Sequence, residues 1–336
     1  RDLILRAVIL GGNMLDLNDK KITGSAIKLN SADNVAVALS EIKAGTNLLG
    51  TNITTREIVP PGYKVAICDI SQGDPIKKYD VTVGFAKSDI IAGTMLHNHN
   101  IEFREFDRDY AYAKHYKPVE KFPEDSRATF QGYKRADGRA GTRNFISIVS
   151  TVNCSATVVH AIADHFNEER LSQYPNVDGV AAFSHNTGCG MELTGEPMNL
   201  LHRTLAGYIK HPNVAGSLVV GLGCERCQVG GLFETQKLQP DQTLRTLVMQ
   251  EAGGTRQTIS RGISIIEELL EIANQSKRET VSASKIMVGL QCGGSDSFSS
   301  ITANPSLGKA IDILSKHGGT GILSVSYTHL RAHETN

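Results

Sequence analysis

The sequence lacks the features typical of nucleic-acid-binding, membrane and disulfide-stabilised proteins. Lysine plus arginine and aspartate plus glutamate both number 35, so the net charge is zero and no basic excess favours nucleic acid or an anionic membrane. No apolar run has the length of a membrane span, and the longest runs have the length of a strand. The six cysteines are too widely and irregularly spaced for a disulfide scaffold. We therefore expect neither a nucleic-acid partner nor a membrane partner.

An export signal and two common motifs are also missing. Asp2 and Arg6 interrupt the short apolar run at the N-terminus and no cleavage site follows it, which favours a cytoplasmic protein with reduced thiols. Cys224 and Cys227 form a single CxxC pair, whereas a zinc ribbon needs two, so Cys227 is predicted to pack in the core. The GxGxxG motif of dinucleotide-binding folds is absent, because the GxG at Gly221 lacks its third glycine.

The chain is long enough for several domains, and its sequence pattern changes along its length. Residues 28–103 contain short alternating runs between Gly- and Pro-rich turns, which predicts a small β domain. Residues 104–128 lack periodicity and are interpreted as a linker. Buried-strand runs then alternate with helical patterns, which predicts parallel sheets covered by helices. We place a middle α/β domain at 129–280 and the start of another at 281–323.

Four cysteines share a position that is typical of ligand sites. Each lies in a turn with glycine or asparagine after a predicted buried strand: Cys154, Cys189, Cys224 and Cys292. Ligands of open α/β sheets bind at the carboxyl ends of the strands, and glycine lets the backbone approach a ligand closely. A single free cysteine is more often a small core residue. Because four cysteines occupy the same kind of position, we interpret them as a site.

Three histidines are candidates for metal binding or proton transfer. If His97 and His99 lie on a strand, they share a face and their imidazoles face one ion or one substrate. The alternative is two solvated histidines at a domain edge. His185 stands at the end of a predicted strand and is a candidate general acid or base. The alternative for His185 is a packed or solvated histidine of a turn. Asn186, next to His185, and Asn153, next to Cys154, are candidate substrate contacts.

Two further segments have the composition of anion-binding loops. Three arginines and two glycines precede the first strand of the α/β part, and a planar guanidinium suits a carboxylate. Arg139, Arg143 and Asn144 are therefore candidates for holding an anionic substrate. The alternative is a solvated turn whose arginines pair with nearby aspartates. A glycine-rich loop that ends in Ser295 and Asp296 is suited to an anion, with Ser295 as a substrate contact and Asp296 as a catalytic group or metal ligand.

Several motifs in these regions resemble the altronate/galactarate dehydratase family. They are Gly132-Tyr-Lys-Arg-Ala-Asp-Gly-Arg-Ala-Gly-Thr-Arg-Asn144, Ser150-Thr-Val-Asn-Cys154, His185-Asn-Thr-Gly-Cys-Gly190, Gly221-Leu-Gly-Cys-Glu225 and Gln291-Cys-Gly-Gly-Ser-Asp296. The run Asp33-Asn-Val-Ala-Val-Ala-Leu39 resembles the β-clip (SAF-type) domain of that family. The resemblance extends over residues 28–323, and the His97/His99 pair and Asn186-Thr-Gly resemble the altronate branch more than the galactarate branch.

The resemblance implies a cytoplasmic, iron-dependent lyase that acts on a hexonate. The fold class it implies is α+β multidomain, with an N-terminal β-clip (SAF-type) domain, a dimer-forming α/β middle domain with a parallel sheet, and a Rossmann-like last domain. The implied reaction is that of a sugar-acid dehydratase, which converts D-altronate to 2-dehydro-3-deoxy-D-gluconate and water by metal-assisted α-proton abstraction and β-hydroxyl elimination. The expected metal is iron(II) or manganese(II), and its candidate ligands are His97, His99, Cys154, Cys189, Cys224 and Cys292.

Other functions stay open at this point. A galactarate dehydratase and a sulfolactate sulfo-lyase are alternatives within the same family, and an iron–sulfur cluster is the alternative to a single ion because thiolates are its usual ligands. A non-catalytic fragment that binds a sugar acid is the alternative outside enzymes. Residues 324–336 do not complete the αβ unit before them and are interpreted as a non-native tail. We therefore expect the last domain to be incomplete and the chain to be inactive by itself.

Overall fold

The structure is a computed structural model that describes residues 25–106, 117–291 and 298–323. Contacts divide the chain into two compact units: Ala128–Lys285 form the second unit, and the rest of the described residues form the first. The predicted site residues Cys292, Ser295 and Asp296, and the predicted tail 324–336, lie outside the described residues. No helix in the described part of the chain is long and apolar enough to cross a membrane.

The N-terminal part of the first unit consists of short antiparallel strands. They are β1 Ala26–Ile27, β2 Val35–Ala38, β3 Lys64–Ala66, β4 Pro75–Lys78, β5 Val81–Ala86, β6 Met95–Leu96 and β7 Ile101–Glu102. One sheet has the order β1-β2-β3-β6 and another has the order β4-β5-β7. Two small apolar clusters form the core: one contains Val65 and other residues of the first sheet, and the other combines residues of both sheets, among them Ala66 and Ile76. The β structure predicted for this region is confirmed.

The second unit contains a four-stranded parallel sheet. The strands and helices of the second unit, in chain order, are β8 Thr129–Lys134, β9 Ala140–Gly141, β10 Phe145–Ser150, α1 Ala156–Asp164, α2 Glu168–Leu171, β11 Gly179–Phe183, α3 Glu196–Ile209, β12 Val214–Gly221, α4 Val229–Gln236, β13 Leu244–Val248, α5 Met249–Ala252, α6 Thr255–Asn274 and β14 Glu279–Ser282. The parallel strands have the order β11-β10-β12-β13. The loops that follow them therefore meet at one edge of the sheet, which we name the carboxyl edge.

Helices cover both faces of this parallel sheet because successive residues of its central strands point to opposite faces. Ile146 and Ile148 of β10 are fully buried against α1 and α6, together with Leu218 of β12. Val149 and Val219 point to the other face and pack against α3 and α4. The predicted parallel sheet covered by helices is confirmed. Its core fixes the strands, and the strand ends then fix where the loops of the carboxyl edge begin.

Two further groups of strands complete the description. In the second unit, β14 pairs antiparallel with β8, and β8 pairs with β9. In the first unit, β15 Met287–Leu290 and β16 Thr320–Leu323 pair in parallel, with α7 Ala303–Lys316 between them in sequence. Such a βαβ unit is the building block of a Rossmann-like domain, and the Rossmann-like character of this region stays a prediction.

Candidate functional site

Hydrogen bonds join three loops at the carboxyl edge of the parallel sheet. The backbone N–H of Asn153 donates to the carbonyl of Thr187 at 3.0 Å. The N–H groups of Arg226 and Cys227 donate to the carbonyl of Gly188 at 2.9 and 3.0 Å. The three loops are the first loop 151–155, the second loop 184–190 and the third loop 222–227. The second loop, which follows the edge strand β11, is thus fixed to both of the others.

The close approach of the second loop to the first requires glycine at position 188. Gly188 has a φ of +96°, which L-residues with a side chain rarely adopt. A Cβ atom there would lie 2.3 Å from the carbonyl oxygen of Thr151. The glycine of the predicted Asn186-Thr-Gly motif is therefore explained by backbone packing, and this packing sets the distance between the two loops.

A buried carboxylate, which the sequence analysis missed, joins the first loop to the third. Glu225 is 3 % exposed. Its Oε1 accepts hydrogen bonds from Thr151 Oγ1 at 2.8 Å and Leu222 N at 3.0 Å, and its Oε2 accepts one from Gly223 N at 2.6 Å. Both carboxylate oxygens thus have partners, and the chain direction after β12 is fixed. The signal available in the sequence is the position of Glu225 in the motif that begins at Gly221, directly after the predicted ligand Cys224.

Three of the four predicted ligand cysteines lie exposed on these loops. Cys154 is on the first loop, Cys189 on the second and Cys224 on the third, and all three are exposed. Core packing therefore does not explain them, whereas Cys227 is fully buried in the apolar cluster beneath α3 and α4, as predicted. Burial raises the pKa of the Cys227 thiol to about 12. A ligand role for the three exposed thiols stays a prediction.

The described residues do not provide a complete metal site. Thiolates are soft donors that suit iron. In residues 25–106, 117–291 and 298–323, however, no three side chains of His, Cys, Asp or Glu are grouped so that they could hold an ion. The described residues therefore offer thiol donors at one edge without a full ligand set.

The two histidines predicted as metal ligands, His97 and His99, do not lie on a strand. β6 ends at Leu96, and His97 and His99 occupy a bend and a turn closed by hydrogen bonds from Asn100 N and Ile101 N to the carbonyl of His97 at 3.0 and 2.9 Å. The assumption that both imidazoles share a strand face is therefore wrong. His97 is half-buried and contacts the ring of Tyr63, while His99 is exposed, and both belong to the first unit.

His185 links the second loop to the end of β10 through both ring nitrogens. Nε2 lies 3.1 Å from the carbonyl oxygen of Ser150, and Nδ1 lies 3.3 Å from the backbone N–H of Thr187. A carbonyl only accepts and an N–H only donates, so the proton is on Nε2 and the lone pair is on Nδ1. Burial lowers the pKa of His185, and the bond to Ser150 opposes this effect. The imidazole is therefore held in one neutral tautomer.

We expect acid to destabilise the second unit partly through His185. Its pKa in the folded protein lies below the ordinary value of 6.5, so the unfolded chain binds more protons between the two values. The stability from the neutral form is present above 6.5 and is lost as the pH falls below it. Burial lowers the pKa of His202 and His211 in the same direction. The expected result is a lower Tm at about pH 5.5 than at about pH 7.5, measured by thermal unfolding.

The variant His185→Gln separates this contribution from the others. It should lose less Tm on acidification than the unsubstituted protein. His165→Gln is the matched control, because His165 follows the end of α1 and is not buried in the core. Equal pH dependence of the unsubstituted protein and His185→Gln would show that His185 does not titrate on unfolding.

The predicted carboxylate-binding arginines lie at the opposite edge of the sheet. They precede β10, whose six residues span about 20 Å. Arg139 pairs with Asp137 and donates to Lys210 O, and Arg143 pairs with Asp178 at 2.8 Å. Both arginines thus pair with nearby aspartates, as the alternative of a solvated turn predicts. It does not bring them to the loops that carry the cysteines, and substrate binding by them stays a prediction.

The three asparagines predicted as substrate contacts lie in different surroundings. Asn144 is fully buried, and its side chain amide donates to Asn176 O at 2.8 Å and Ala273 O at 3.0 Å. It is a structural amide at the start of β10. Asn153 and Asn186 are exposed at the carboxyl edge, on the first and second loops. The structure therefore brings Asn153 and Asn186, but not Asn144, to the edge that carries His185.

An open depression of about 640 Å³ lies beside Cys189. Its wall includes Glu192, Thr194 and Arg226, so it contains a cation, an anion and a hydroxyl next to a thiol. Arg226 follows the buried Glu225 on the third loop. The sequence analysis did not single it out, although it lies within the CxxC pair.

Three family models match consecutive parts of this chain. The altronate/galactarate dehydratase SAF domain matches residues 24–104, and the second domain of D-galactarate dehydratase/altronate hydrolase matches residues 132–274. The C-terminal domain of D-galactarate/altronate dehydratase matches residues 283–328. The chain belongs to the altronate/galactarate dehydratase family.

Curated members of the altronate/galactarate dehydratase family align with most of this chain. Altronate dehydratase of Escherichia coli (strain K12) is 35% identical over 301 residues, and altronate dehydratase of Bacillus subtilis (strain 168) is 34% identical over 303 residues. Each alignment covers 89% of this chain and 59% of the relative. Galactarate dehydratase (L-threo-forming) of E. coli is 33% identical over 318 residues, which are 92% of this chain and 61% of that protein. The chain thus spans about three fifths of the length of these relatives.

The family match assigns the carboxyl edge to the second-domain model. The three loops 151–155, 184–190 and 222–227 all lie within residues 132–274. The first unit contains the residues matched by the SAF model, including β1 to β7 and the His97/His99 turn. The N-terminal β-clip (SAF-type) domain implied by the resemblance is thereby confirmed.

Proposed function

We propose that this chain contributes to a sugar-acid dehydratase that converts D-altronate to 2-dehydro-3-deoxy-D-gluconate and water. The observation that carries the proposal is the carboxyl edge of the second unit. There, three hydrogen-bonded loops present exposed thiols, the amides of Asn153 and Asn186, and a neutral imidazole beside an open depression. The identity of 34–35% to two altronate dehydratases favours D-altronate among the hexonates.

The reaction needs a proton acceptor and a proton donor on the substrate. A base removes the proton from C2, the C2–C3 double bond forms, and the C3 hydroxyl leaves as water after receiving a proton. The resulting enol becomes the 2-oxo acid by proton transfer to C3. Because the C2 proton is weakly acidic, negative charge that develops on the carboxylate has to be stabilised by cationic groups. Each positioned proton-transfer group contributes about 10²–10⁴-fold to the rate.

His185 is proposed as one of these proton-transfer groups. Its Nδ1 carries the lone pair, and the hydrogen bond from Thr187 N to that atom is long at 3.3 Å. Nε2 stays bonded to Ser150 O and keeps the ring oriented. The lowered pKa keeps the imidazole neutral at neutral pH, as a general base requires. Proton uptake then occurs at Nδ1 with loss of the Thr187 bond. Asp296, proposed as its partner, lies outside the described residues.

An iron(II) requirement is part of the proposal, with manganese(II) and an iron–sulfur cluster as alternatives. Cys154, Cys189 and Cys224 offer thiolates, which are the usual protein ligands of iron–sulfur clusters, and Cys292 is the further proposed thiol. A bound divalent ion supplies Lewis-acid stabilisation of the carboxylate and α-hydroxyl. We likewise propose that the protein is a homodimer and that it is cytoplasmic. Light scattering measures the mass of the particle and so tests the homodimer.

The proposal is tested by extending the chain with the C-terminal segment of one of its longer relatives, assaying it anaerobically with iron(II) or manganese(II) and measuring 2-oxo acid formation. D-altronate is expected to be the best substrate by kcat/KM, and D-galactarate the next, because a galactarate dehydratase is 33% identical. Cys154→Ser and Cys189→Ser should lower both iron content and turnover at least tenfold, as expected for ligands worth about 1.4 kcal/mol or more. An iron–sulfur cluster would add a visible absorption band.

Cys68→Ser is the matched control for the cysteine variants. Cys68 is another exposed thiol, and it lies in the first unit just after β3. Its substitution should change neither iron content nor turnover. Water elimination from D-galactarate alone, or desulfonation of (2R)-sulfolactate, would replace the D-altronate assignment. Binding of D-altronate without any product would support a non-catalytic sugar-acid-binding fragment.

A further inference from the structure

We propose that the depression beside Cys189 is the subsite for a polyhydroxy acid, with Arg226 as its carboxylate-binding residue. The depression comprises Cys189, Glu192, Thr194 and Arg226, with the apolar Met191 and Leu193 between them. The kind of ligand assigned to this depression rests on the proposed function. The volume of the depression, about 640 Å³, lies within the range of about 300–1,000 Å³ that is typical of small-molecule sites.

The backbone around Arg226 is fixed from both sides while its side chain is exposed. Glu225 before it and Cys227 after it are buried, and Arg226 N donates to Gly188 O at 2.9 Å. The same carbonyl also accepts from Cys227 N at 3.0 Å. The Cα atom of Arg226 is therefore held against the second loop, which carries His185 and Cys189. The fold thus sets the point from which the Arg226 side chain extends at this edge.

The charge of Arg226 is not used in an ion pair with any described residue. Arg139 and Arg143 pair with Asp137 and Asp178, whereas the ion pairs between described residues do not include Arg226. A guanidinium offers a planar pair of N–H donors that matches the two oxygens of a carboxylate. Arg226 is thus the arginine at the carboxyl edge that is placed to bind a carboxylate.

The other polar groups of the depression suit the hydroxyl groups of the same ligand. Glu192 offers carboxylate acceptors, and Thr194 offers a hydroxyl that donates and accepts. Met191 is held by a contact from Thr187 Oγ1 to its sulfur at 3.4 Å and offers an apolar surface to the carbon chain. One cation with several hydroxyl partners fits a sugar acid better than a neutral sugar or a dicarboxylate without hydroxyls.

The test measures protection of Cys189, which lies in the wall of the depression. The 336-residue chain is treated with iodoacetamide at increasing D-altronate concentration, and alkylation of Cys189 is followed by peptide mass spectrometry. D-altronate should protect Cys189, whereas a hexitol, which has the hydroxyls but no carboxylate, should not protect it at the same concentration. Arg226→Met should weaken protection about 10- to 100-fold, the effect expected for loss of a charge-assisted hydrogen-bonded pair.

Arg203→Met is the matched control variant. Arg203 is an exposed arginine of α3 in the same unit, and it lines a separate depression with Asn199 and Thr235. Its substitution should leave protection unchanged. Equal protection by D-altronate in Arg226→Met and in the unsubstituted chain would overturn the proposal. So would a lack of protection in a chain that turns D-altronate over. The readout does not depend on turnover, so Arg226-dependent protection would still support the subsite if the C-terminally extended chain showed no dehydratase activity and the proposed function failed.

Discussion

Gly188→Ala is expected to destabilise the second unit by about 3–5 kcal/mol. A residue with a side chain is strained at a φ of +96°, and the new Cβ would lie 2.3 Å from the carbonyl oxygen of Thr151 and 2.9 Å from the Cα of Val152. Both are backbone atoms of the first loop, which have no flexible end that can move aside. The loops would have to separate, with loss of the hydrogen bond between Asn153 N and Thr187 O.

Gly190→Ala is the matched control, two residues further along the same loop. A Cβ at Gly190 meets no atom within 4 Å, so the free energy of unfolding should change by no more than about 0.5 kcal/mol. Urea unfolding with an unchanged m-value measures both variants. If the two midpoints shift equally, the contact between the second and first loops does not determine the stability of this edge.

The predictable parts of the fold depend on neighbours in sequence. The apolar run from Phe145 to Ser150 predicted β10 because a strand with both faces covered needs apolar residues on both sides. The stripe of Val158, Val159 and Ile162 predicted the core-facing side of α1. The ends of the strands follow from such apolar runs. The positions of Cys154, Cys189 and Cys224 in the loops after the strands follow from those ends.

Other parts of the site depend on contacts between residues distant in sequence. The loop with Arg139 and Arg143 precedes a strand, so it lies at the edge opposite to the loops that follow strands, and this topological signal was available in the sequence. Burial of Glu225 depends on Thr151, 74 residues away in the chain, which no local pattern reveals. The turn at His97 was also missed, because Asn100 closes it through its side chain oxygen, which accepts from His97 N at 2.9 Å.

The carboxyl edge therefore has two layers with different roles. Gly188 and Glu225 lie beneath the surface and fix the distances between the three loops. Cys154, Cys189 and Arg226 lie on the surface, where a ligand has access to them. Variants of the lower layer should change stability together with ligand binding, whereas variants of the upper layer should change binding alone.

Glu225→Ala is accordingly expected to reduce both stability and the binding of the proposed ligand, D-altronate. It leaves three donors without their acceptor, Thr151 Oγ1, Leu222 N and Gly223 N, in a place that is almost closed to water. A hydrogen bond to a charged group contributes about 1.5–3 kcal/mol, so a loss of about 3 kcal/mol or more is expected in urea unfolding. Hydrogen exchange at the amides of Leu222 and Gly223 should accelerate.

Two further variants separate the carboxylate from the general effect of a substitution. Glu225→Gln keeps one acceptor oxygen but not the one that faces Gly223 N, so it should lose about half as much stability as alanine. Glu267→Ala removes an exposed carboxylate from α6 and should change the free energy of unfolding by less than about 0.5 kcal/mol. If Glu225→Ala unfolds at the same urea concentration as Glu267→Ala, the hydrogen bonds of the buried carboxylate contribute nothing beyond those that water would supply, and the arrangement of the three loops must depend on the Gly188 contacts alone.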